Sequence, residues 1–414
     1  MVEAEVDGEK TTGYVRIKYW KQKNTIMNIL VYLGHPAHFY LYKNAIQNWR
    51  DHGHKVEIMI KKKDILQQLL DNQGWEYHNI LSEGRKGNKL GMALGVIKRA
   101  VRQNQICAHF KPDILTGTSV ENSIIGPLRR IPVINCNEDD AAVVPLYAKL
   151  SYPGADAILN PVVCHSGKWD DKATKYPSYQ ELAYLHPNHF TANREVVENY
   201  GIDTSKPYFI MRFASLKAHH DDGIQGINTE IAQRLIDILS PHGQIYITSE
   251  RELEPQFEPY RIRINPLDMH HVMAFASLYL GDSQTMAAEA GVLGTPFVRF
   301  NDFVGRIGYL QELEDIYQLG YGVHASPLAE DSPIRRADGS VQPSGQEALY
   351  DAVKQIMAMP TEERHDVFAA RREKMLSDKI DYAKFLTWFI ENYPTSQQQT
   401  KQEQNNQHFW NQFK

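Results

Sequence analysis

The stretch "SLYLGDSQTMAAEAGVLGTPFV", residues 277–298, indicates the fold of the chain most clearly. It reads as an apolar strand, a polar turn at residues 281–285, an Ala-rich helix and, after a Gly-Thr-Pro break, a second apolar run. Short apolar strands that alternate with helices are typical of a parallel sheet covered on both faces. The helix carries one carboxylate, Glu289, among apolar residues, and this position needs an explanation.

The same alternation extends along most of the chain on both sides of this stretch. The strand-like segments before it are NILVYL, KVEIMI, WEYHNI, PDILTG, IPVINCN, DAILN, PYFIMRF and QIYITS. An aromatic, Pro-rich and charged connector precedes residue 190, after which the alternation restarts. We therefore predict an α/β protein with two doubly wound Rossmann-like lobes, residues 27–190 and 191–355, and a cleft between them.

The two ends of the chain have a different composition. Residues 1–26 mix acidic and basic side chains without an apolar segment, so we expect a disordered extension and no signal peptide. Residues 356–393 are expected to form helices that pack back across the lobes. The Gln/Asn-rich tail at residues 394–414 is expected to be disordered.

Bulk composition excludes several classes of protein. The 414 residues carry a net charge of −5, so nothing global indicates nucleic-acid binding. No apolar run reaches the roughly 18 residues of a membrane-spanning helix. The three cysteines are far apart, which argues against disulfides and a zinc ribbon and favours a cytoplasmic protein.

A basic helical stretch leaves membrane contact open. Its cationic residues, interleaved with Met92, Leu94 and Ile97, are Lys86, Lys89, Lys98, Arg99 and Arg102. Such a stretch can lie on a membrane surface, which would make the protein peripheral at the inner face of the membrane. A solvated amphipathic helix is the alternative.

The turn at residues 281–285 has the features of an anion site. A strand-to-helix turn points unpaired backbone N–H groups and a partial positive charge outward, and Ser283 and Thr285 add hydroxyl donors. Glu289 follows Thr285 by one helical turn on the same face, where it can accept hydrogen bonds from the diol of a ribose. Ordinary helix capping by Ser283 with a solvated Glu289 is the alternative.

This segment resembles the nucleotide-sugar motif of GT-B glycosyltransferases and UDP-N-acetylglucosamine 2-epimerases. The positions that match the epimerase form are Asp282, Ser283, Glu289, Ala290, Gly294 and Pro296. Gln284 and Thr285 replace two glycines of that form, and Ala288 replaces its first glutamate. The resemblance implies that Ser283, Gln284 and Thr285 face a diphosphate and that Glu289 faces the ribose.

A wider resemblance covers most of residues 27–390. The segments LGHPAHFYLYKNAI, PDILTGTS, LSYPGADAILNP, YQELAYLHP and MRFASLKAHHD are similar to those of an uncharacterised GT-B-like family, domain of unknown function 354. That family implies the two-lobed fold with a cleft, and no reaction can be transferred from it.

Two histidines follow the first strand. In plant-type GT-B glycosyltransferases a histidine at this place is the general base, and His38 matches that position best, with His35 as the nearby alternative. A helix-capping role and a metal-binding His pair remain open.

Three acids in "NCNEDD" are a second source of acid–base chemistry. Crowded carboxylates raise one another's pKa, so Asp140 or Glu138 is the second candidate for a base or an acceptor anchor, beside Asp139. An acidic helix N-terminus is the alternative.

The loop "MRFASLKAHHDDG" brings cations to the second lobe. Arg212 is expected to clamp the diphosphate, and Ser215 is a further substrate-binding candidate. The other polar residues of this loop are Lys217, His219 and His220. Arg212 can offset leaving-group charge without a metal ion.

The function favoured by the sequence is a metal-independent GT-B glycosyltransferase without a resident cofactor. It would move a sugar from a nucleoside diphosphate sugar to a glycan or lipid-linked acceptor in surface polysaccharide synthesis. A non-hydrolytic UDP-sugar 2-epimerase-like enzyme is one alternative, although the acid that family has after its fourth strand is missing from residues 116–119. A non-catalytic nucleotide-sugar-binding protein is the other.

Overall fold

The computed structural model describes residues 5–6, 9–10, 26–61, 65–81, 89–213, 226–249, 251–329, 331 and 333–414. Near the N-terminus, Glu5–Val6 pairs antiparallel with Glu9–Lys10. The expected disorder of residues 1–26 otherwise falls outside the described residues.

The first lobe is built on a seven-stranded parallel sheet, in the order β3-β2-β1-β4-β5-β6-β7. Its strands are β1 (Asn28–Leu33), β2 (Lys55–Lys61), β3 (His78–Leu81), β4 (Ile114–Gly117), β5 (Val133–Cys136), β6 (Ala157–Pro161) and β7 (Ala173–Tyr176). The central strands are almost fully buried, because helices cover both faces of the sheet.

Helices lie on the two faces of the sheet of the first lobe. The helices are α1 (Pro36–Asp51), α2 (Leu66–Asn72), α3 (Lys89–Phe110), α4 (Val120–Arg129) and α5 (Pro145–Ser151). Helix α1 begins at Pro36 behind the capping His35, a favourable order because proline at the first helical position has no N–H to satisfy. Helix α4 packs between α3 and α5.

The second lobe contains a five-stranded parallel sheet, in the order β9-β8-β10-β11-β12. Its strands are β8 (Tyr208–Phe213), β9 (Gln244–Ser249), β10 (Leu278–Gly281), β11 (Phe297–Phe300) and β12 (Gly320–Val323). Its helices are α6 (Arg194–Glu198), which contacts α8, then α7 (Thr229–Leu239), α8 (Met269–Ala274), α9 (Gln284–Leu293), α10 (Gly308–Gln311) and α11 (Gly345–Met357). The two doubly wound lobes predicted from the sequence are thus confirmed.

The C-terminal segment joins the lobes and differs from the expected tail. Its helices are α12 (Thr361–Asp378), α13 (Tyr382–Glu391), α14 (Thr395–Gln402) and α15 (Gln407–Asn411). Helix α12 contacts α9 in the second lobe, and α13 contacts α1 in the first. The predicted disorder of residues 394–414 is wrong, because Phe409, Trp410 and Phe413 are buried in the main core, where Phe413 and Trp388 lie 5.1 Å apart.

Candidate functional site

The turn after β10 has the geometry of a helix N-terminus open to a ligand. Ser283 caps α9, and its Oγ accepts a hydrogen bond of 3.4 Å from the N–H of Met286. The N–H groups of Gln284 and Thr285, in the first helical turn, have no carbonyl partner within the helix. A Cβ on Gly281 would lie 2.9 Å from the Cβ of Arg212, so glycine is needed where the two strands approach.

Arg212 lies beside this turn. It stands opposite Gly281 on one side and Thr248 on the other in the parallel sheet. Its Nη1 donates a hydrogen bond of 2.8 Å to Oγ1 of Thr248. The guanidinium is therefore anchored at the carboxyl end of β8, next to the proposed phosphate position. Ser215, like Lys217, His219 and His220, lies outside the described residues.

The side chain of Gln284 points to a different partner. Its Oε1 accepts a hydrogen bond from Nη1 of Arg299, and Arg299 is itself paired with Glu314 at 2.9 Å. This ion pair is fully enclosed, and burial raises the pKa of Glu314 although the charge of Arg299 opposes the shift. The side-chain oxygen of Gln284 is thus bound to the buried Arg299. Gln284 can therefore contact a diphosphate through its backbone N–H. Thr285 is half-buried at the same turn.

Glu289 lies at the contact between the lobes, with a side chain only 6% exposed. Oη of Tyr184, from the first lobe, donates a hydrogen bond of 2.8 Å to Oε1. Nε2 of His270, from α8, lies 3.0 Å from the same oxygen. Among the described residues both bonds end on Oε1, so Oε2 keeps its acceptor capacity for a ligand. The Tyr40 ring packs on His270 with 4.8 Å between centroids.

A pair of glutamates from the first lobe faces this position. Oε2 of Glu138 accepts a hydrogen bond of 3.1 Å from the N–H of Gln180, the residue before Glu181. Glu181 is 1% exposed, and within the described residues its buried Oε2 has no hydrogen-bond partner. Burial, with the charges of Glu289 and Asp139, raises the pKa of Glu181 to about 8. Burial and the neighbouring Glu181 also raise the pKa of Glu138 well above its ordinary value.

Glu181 is the site residue that sequence reasoning missed. It lies in a one-turn 3-10 helix, Gln180–Ala183, within the segment YQELAYLHP. The available signal was a single acid among apolar and aromatic residues.

Asp140 joins the lobes through the backbone. Its Oδ1 accepts a hydrogen bond of 2.8 Å from the N–H of His165, and its Oδ2 accepts one of 2.8 Å from the N–H of Gly308. Gly308 begins α10 in the second lobe, and a Cβ there would lie 2.1 Å from the carbonyl oxygen of Val163. Because both carboxylate oxygens bind backbone N–H groups, the geometry favours a structural role for Asp140 over that of a base.

The two histidines after β1 are both half-buried hydrogen-bond acceptors. Nδ1 of His38 accepts a hydrogen bond of 3.1 Å from the N–H of Gly34, and Nδ1 of His35 accepts one of 3.2 Å from the N–H of Ala37. In a neutral ring whose Nδ1 accepts a hydrogen bond, the proton resides on Nε2.

Two features are absent from the described residues. Throughout the described part of the chain, no group of three or more His, Cys, Asp and Glu side chains is arranged to hold a metal ion. Across the same residues, no helix combines the length and the apolar character needed to cross a membrane.

Solved structures with a similar fold include UDP-GlcNAc 2-epimerases and glycosyltransferases. A UDP-GlcNAc 2-epimerase from Neisseria meningitidis bound to UDP-GlcNAc is 13% identical, with a TM-score of 0.55, over 88% of this chain and 98% of that one. The epimerase from Rickettsia bellii is 14% identical, with a TM-score of 0.54, over 88% of this chain and 100% of the other. At this identity the likeness shows the fold, which is GT-B-like as expected.

A glycosyltransferase shares this architecture to the same degree. The spinosyn rhamnosyltransferase SpnG, complexed with spinosyn aglycone, is 12% identical, with a TM-score of 0.54, over 89% of this chain and 100% of that chain. No curated protein sequence matches the chain. The model of the family described as "Protein of unknown function (DUF354)" matches residues 27–303, more than half of the sequence, and the protein belongs to this family.

Proposed function

We propose that the protein is a glycosyltransferase that takes a sugar from a nucleoside diphosphate sugar bound in the cleft. The observation that carries this proposal is the open N-terminus of α9 between Arg212 and Glu289. An anion fits there without any lysine, because the free N–H groups and the helix dipole favour negative charge.

Each group at this turn has a distinct role in the proposal. The N–H groups of Gln284 and Thr285 and the hydroxyl of Thr285 hold the diphosphate, while Oε2 of Glu289 accepts hydrogen bonds from the ribose. When the bond from the sugar to the diphosphate breaks, negative charge grows on the leaving phosphate. Arg212 is positioned to stabilise that charge, which makes the reaction independent of a metal ion.

The acceptor side is assigned to the first lobe. Glu138 is the preferred base, because burial and the neighbouring Glu181 raise its pKa, and a carboxylate with a raised pKa is a stronger base than an ordinary one. His38 and His35 are assigned to hydrogen bonding with the substrate rather than to removing its proton. A glycan or lipid-linked acceptor and a place in surface polysaccharide synthesis, in the cytoplasm or on the inner face of the membrane, complete the proposal.

An epimerase-like reaction is the second candidate, and the glutamate pair specifically favours it. Inverting a sugar carbon requires a group that removes a proton and another that returns one. Residues 116–119 lack one of these acids, but Glu138 and Glu181 together supply two carboxyl groups with raised pKa.

Incubation of the protein with UDP-GlcNAc in D₂O, monitored by NMR, separates these functions. Deuterium at C2 of the sugar without any acceptor would establish the epimerase-like reaction. Release of UDP that depends on an added glycan or lipid-linked acceptor, without deuterium exchange, would establish transfer. The same assay with other nucleoside diphosphate sugars identifies the donor. A nucleotide sugar that binds but stays unaltered with every acceptor would contradict both and favour a binding protein.

A further inference from the structure

The exposed apolar side chains are concentrated on one surface of the first lobe. Six of the twelve large apolar side chains exposed within the described residues belong to the adjacent helices α3, α4 and α5. We call this surface the apolar face; its members are Ile97, Val101, Ile124, Leu128, Leu146 and Leu150. On each helix the two residues are four apart, so they share one side. Scattered exposed apolar residues are ordinary, but such a concentration marks an interaction surface.

Polar side chains of the same helices are turned inward. Nε of Arg99 donates to Oε1 of Glu121, and Nε2 of Gln103 donates to Oδ1 of Asn122 at 2.8 Å. Glu121 and Asn122 are buried, whereas Leu128 on the same helix is 70% exposed. A surface helix normally has the opposite arrangement. The polar side chains of α4 therefore contact α3, and its apolar side chains face outward.

Among the described residues of these three helices and their ends, the exposed charged side chains are positive. Arg130 and Lys149 are exposed beside the apolar face. The three helices contain a single acidic residue, Glu121, which is buried against Arg99. This local cationic character contrasts with the net charge of −5 of the whole chain. Of the basic residues singled out in the sequence, Lys86 lies outside the described residues.

We propose that the apolar face docks the protein on the surface of an anionic phospholipid membrane. Leucine and isoleucine side chains would enter the boundary between headgroups and acyl chains, and the cations beside them would pair with lipid phosphates. The positive charges beside the apolar face are less favourable for contact with a second copy of the chain. A two-fold symmetric contact places the same patch on both sides and would bring the exposed Arg130 and Lys149 of both copies together, while Glu121, the one acidic residue of the three helices, is buried.

Docking through this face would orient the protein on the bilayer. Helices α3, α4 and α5 belong to the lobe that the proposed function assigns to the acceptor, so that lobe would lie against the membrane, where a lipid-linked acceptor resides. The docking itself does not depend on the transfer reaction and can be tested without it.

Co-sedimentation of the full chain with phospholipid vesicles tests the proposal. The wild-type protein should bind vesicles of phosphatidylglycerol and phosphatidylethanolamine, and should bind pure phosphatidylcholine much more weakly. The double variant Leu128→Ser/Leu146→Ser should lower the affinity at least tenfold, since it removes two apolar anchors. Lys149→Ala should lower it about fivefold and make binding less sensitive to salt.

Matched controls lie on the second lobe, away from the apolar face. Ile316 is 60% exposed, comparable with Leu146 at 56%, and Ile316→Ser should bind vesicles like the wild type. Lys354→Ala is the corresponding control for charge. Circular dichroism and thermal unfolding of every variant exclude misfolding.

Three results would overturn the proposal. One is the absence of wild-type binding to anionic vesicles, and another is binding by the double variant that equals that of the wild type. The third is a wild-type dimer in sedimentation velocity that Leu128→Ser/Leu146→Ser converts to a monomer, without vesicle binding by either protein. That outcome would assign the face to a second copy of the chain.

Discussion

The hydroxyl of Tyr184 donates a hydrogen bond of 2.8 Å to the carboxylate of Glu289, and this bond joins the two lobes at the cleft. The helix that carries Glu289 also begins with the open turn at residues 281–285. One acidic side chain thus links the arrangement of the lobes to the proposed nucleotide site. Because His270 shares the same oxygen, Glu289 is held in place before any ligand binds.

The two roles of Glu289 can be separated by two variants. Tyr184→Phe removes the bond between the lobes but keeps the carboxylate, so the affinity for a nucleoside diphosphate should change less than about threefold. Glu289→Ala removes the ribose acceptor and should lower the affinity by about tenfold to a hundredfold, the range expected for hydrogen bonds to a charged group. Calorimetric titration measures both. Equal losses in the two variants would assign Glu289 a structural role.

The assignment of the base predicts unequal effects of two substitutions in the first lobe. Glu138→Gln should lower turnover by about 10²- to 10⁴-fold, the usual contribution of a general base. His38→Gln keeps a donor near the position of Nε2 and should have a much smaller effect. Steady-state rates as a function of pH provide the check, since turnover should rise with pH as Glu138 loses its proton. Retained activity in Glu138→Gln together with an inactive His38→Gln would return the role to His38.

The raised pKa of Glu181 predicts a pH dependence of stability. The carboxyl group titrates at about 8 in the folded protein instead of its ordinary 4.5, so between these pH values the folded state retains a proton that the unfolded state releases. The unfolding free energy should fall as pH rises through this window and level off above it. Glu181→Gln removes this contribution.

Thermal unfolding at pH 5 and pH 9 measures the effect. The decrease in Tm between the two pH values should be smaller in Glu181→Gln than in the wild type. Glu363→Gln, at an exposed position, is the control and should follow the wild type. Parallel curves for Glu181→Gln and the wild type would show that Glu181 is not protonated in the folded state at neutral pH.

The ordered C-terminal tail predicts a large stability effect far from the cleft. Trp410 is 3% exposed and packs 5.6 Å from Phe385, measured between ring centroids. Trp410→Ala should lower the unfolding free energy by about 3–5 kcal/mol, as expected for truncating a buried aromatic side chain. Denaturant unfolding gives the value. Gln398→Ala, exposed on α14, should leave stability nearly unchanged; a similarly small change for Trp410→Ala would mean that the tail does not pack on the core.

The fold was largely predictable because its buried strands are continuous apolar runs. NILVYL and QIYITS match β1 and β9 residue for residue. Strands β7 and β12 were missed because their sequences, ATKY and GYGV, lack such a run and owe their place to neighbouring strands. The tail was misjudged because its Gln/Asn content concealed three aromatic residues that pack at long range.

The site was predictable only where it is local in sequence. The turn directly precedes the helix that carries Glu289, so their spacing could be read from the sequence. Glu181 lies near Glu138 because the connector segment packs against the first lobe. No local sequence pattern shows this proximity. The partners of Asp140 and Gln284 are not local either: Gly308 lies 168 residues from Asp140, in the other lobe, and Arg299 lies 15 residues from Gln284, on β11.

Calorimetric titration of the nucleoside diphosphates UDP, GDP, dTDP and ADP, without metal, into the wild type and Thr285→Glu tests the central claim most directly. A glutamate in the first turn of α9 suits the helix dipole and should preserve the fold, but its charge would occupy the proposed phosphate position. Thr361→Glu, at the exposed start of α12, is the matched control. The account predicts that one nucleoside diphosphate binds the wild type and Thr361→Glu equally and that Thr285→Glu does not bind it. Binding that survives in Thr285→Glu, or no binding by the wild type, would contradict a nucleotide site at this turn.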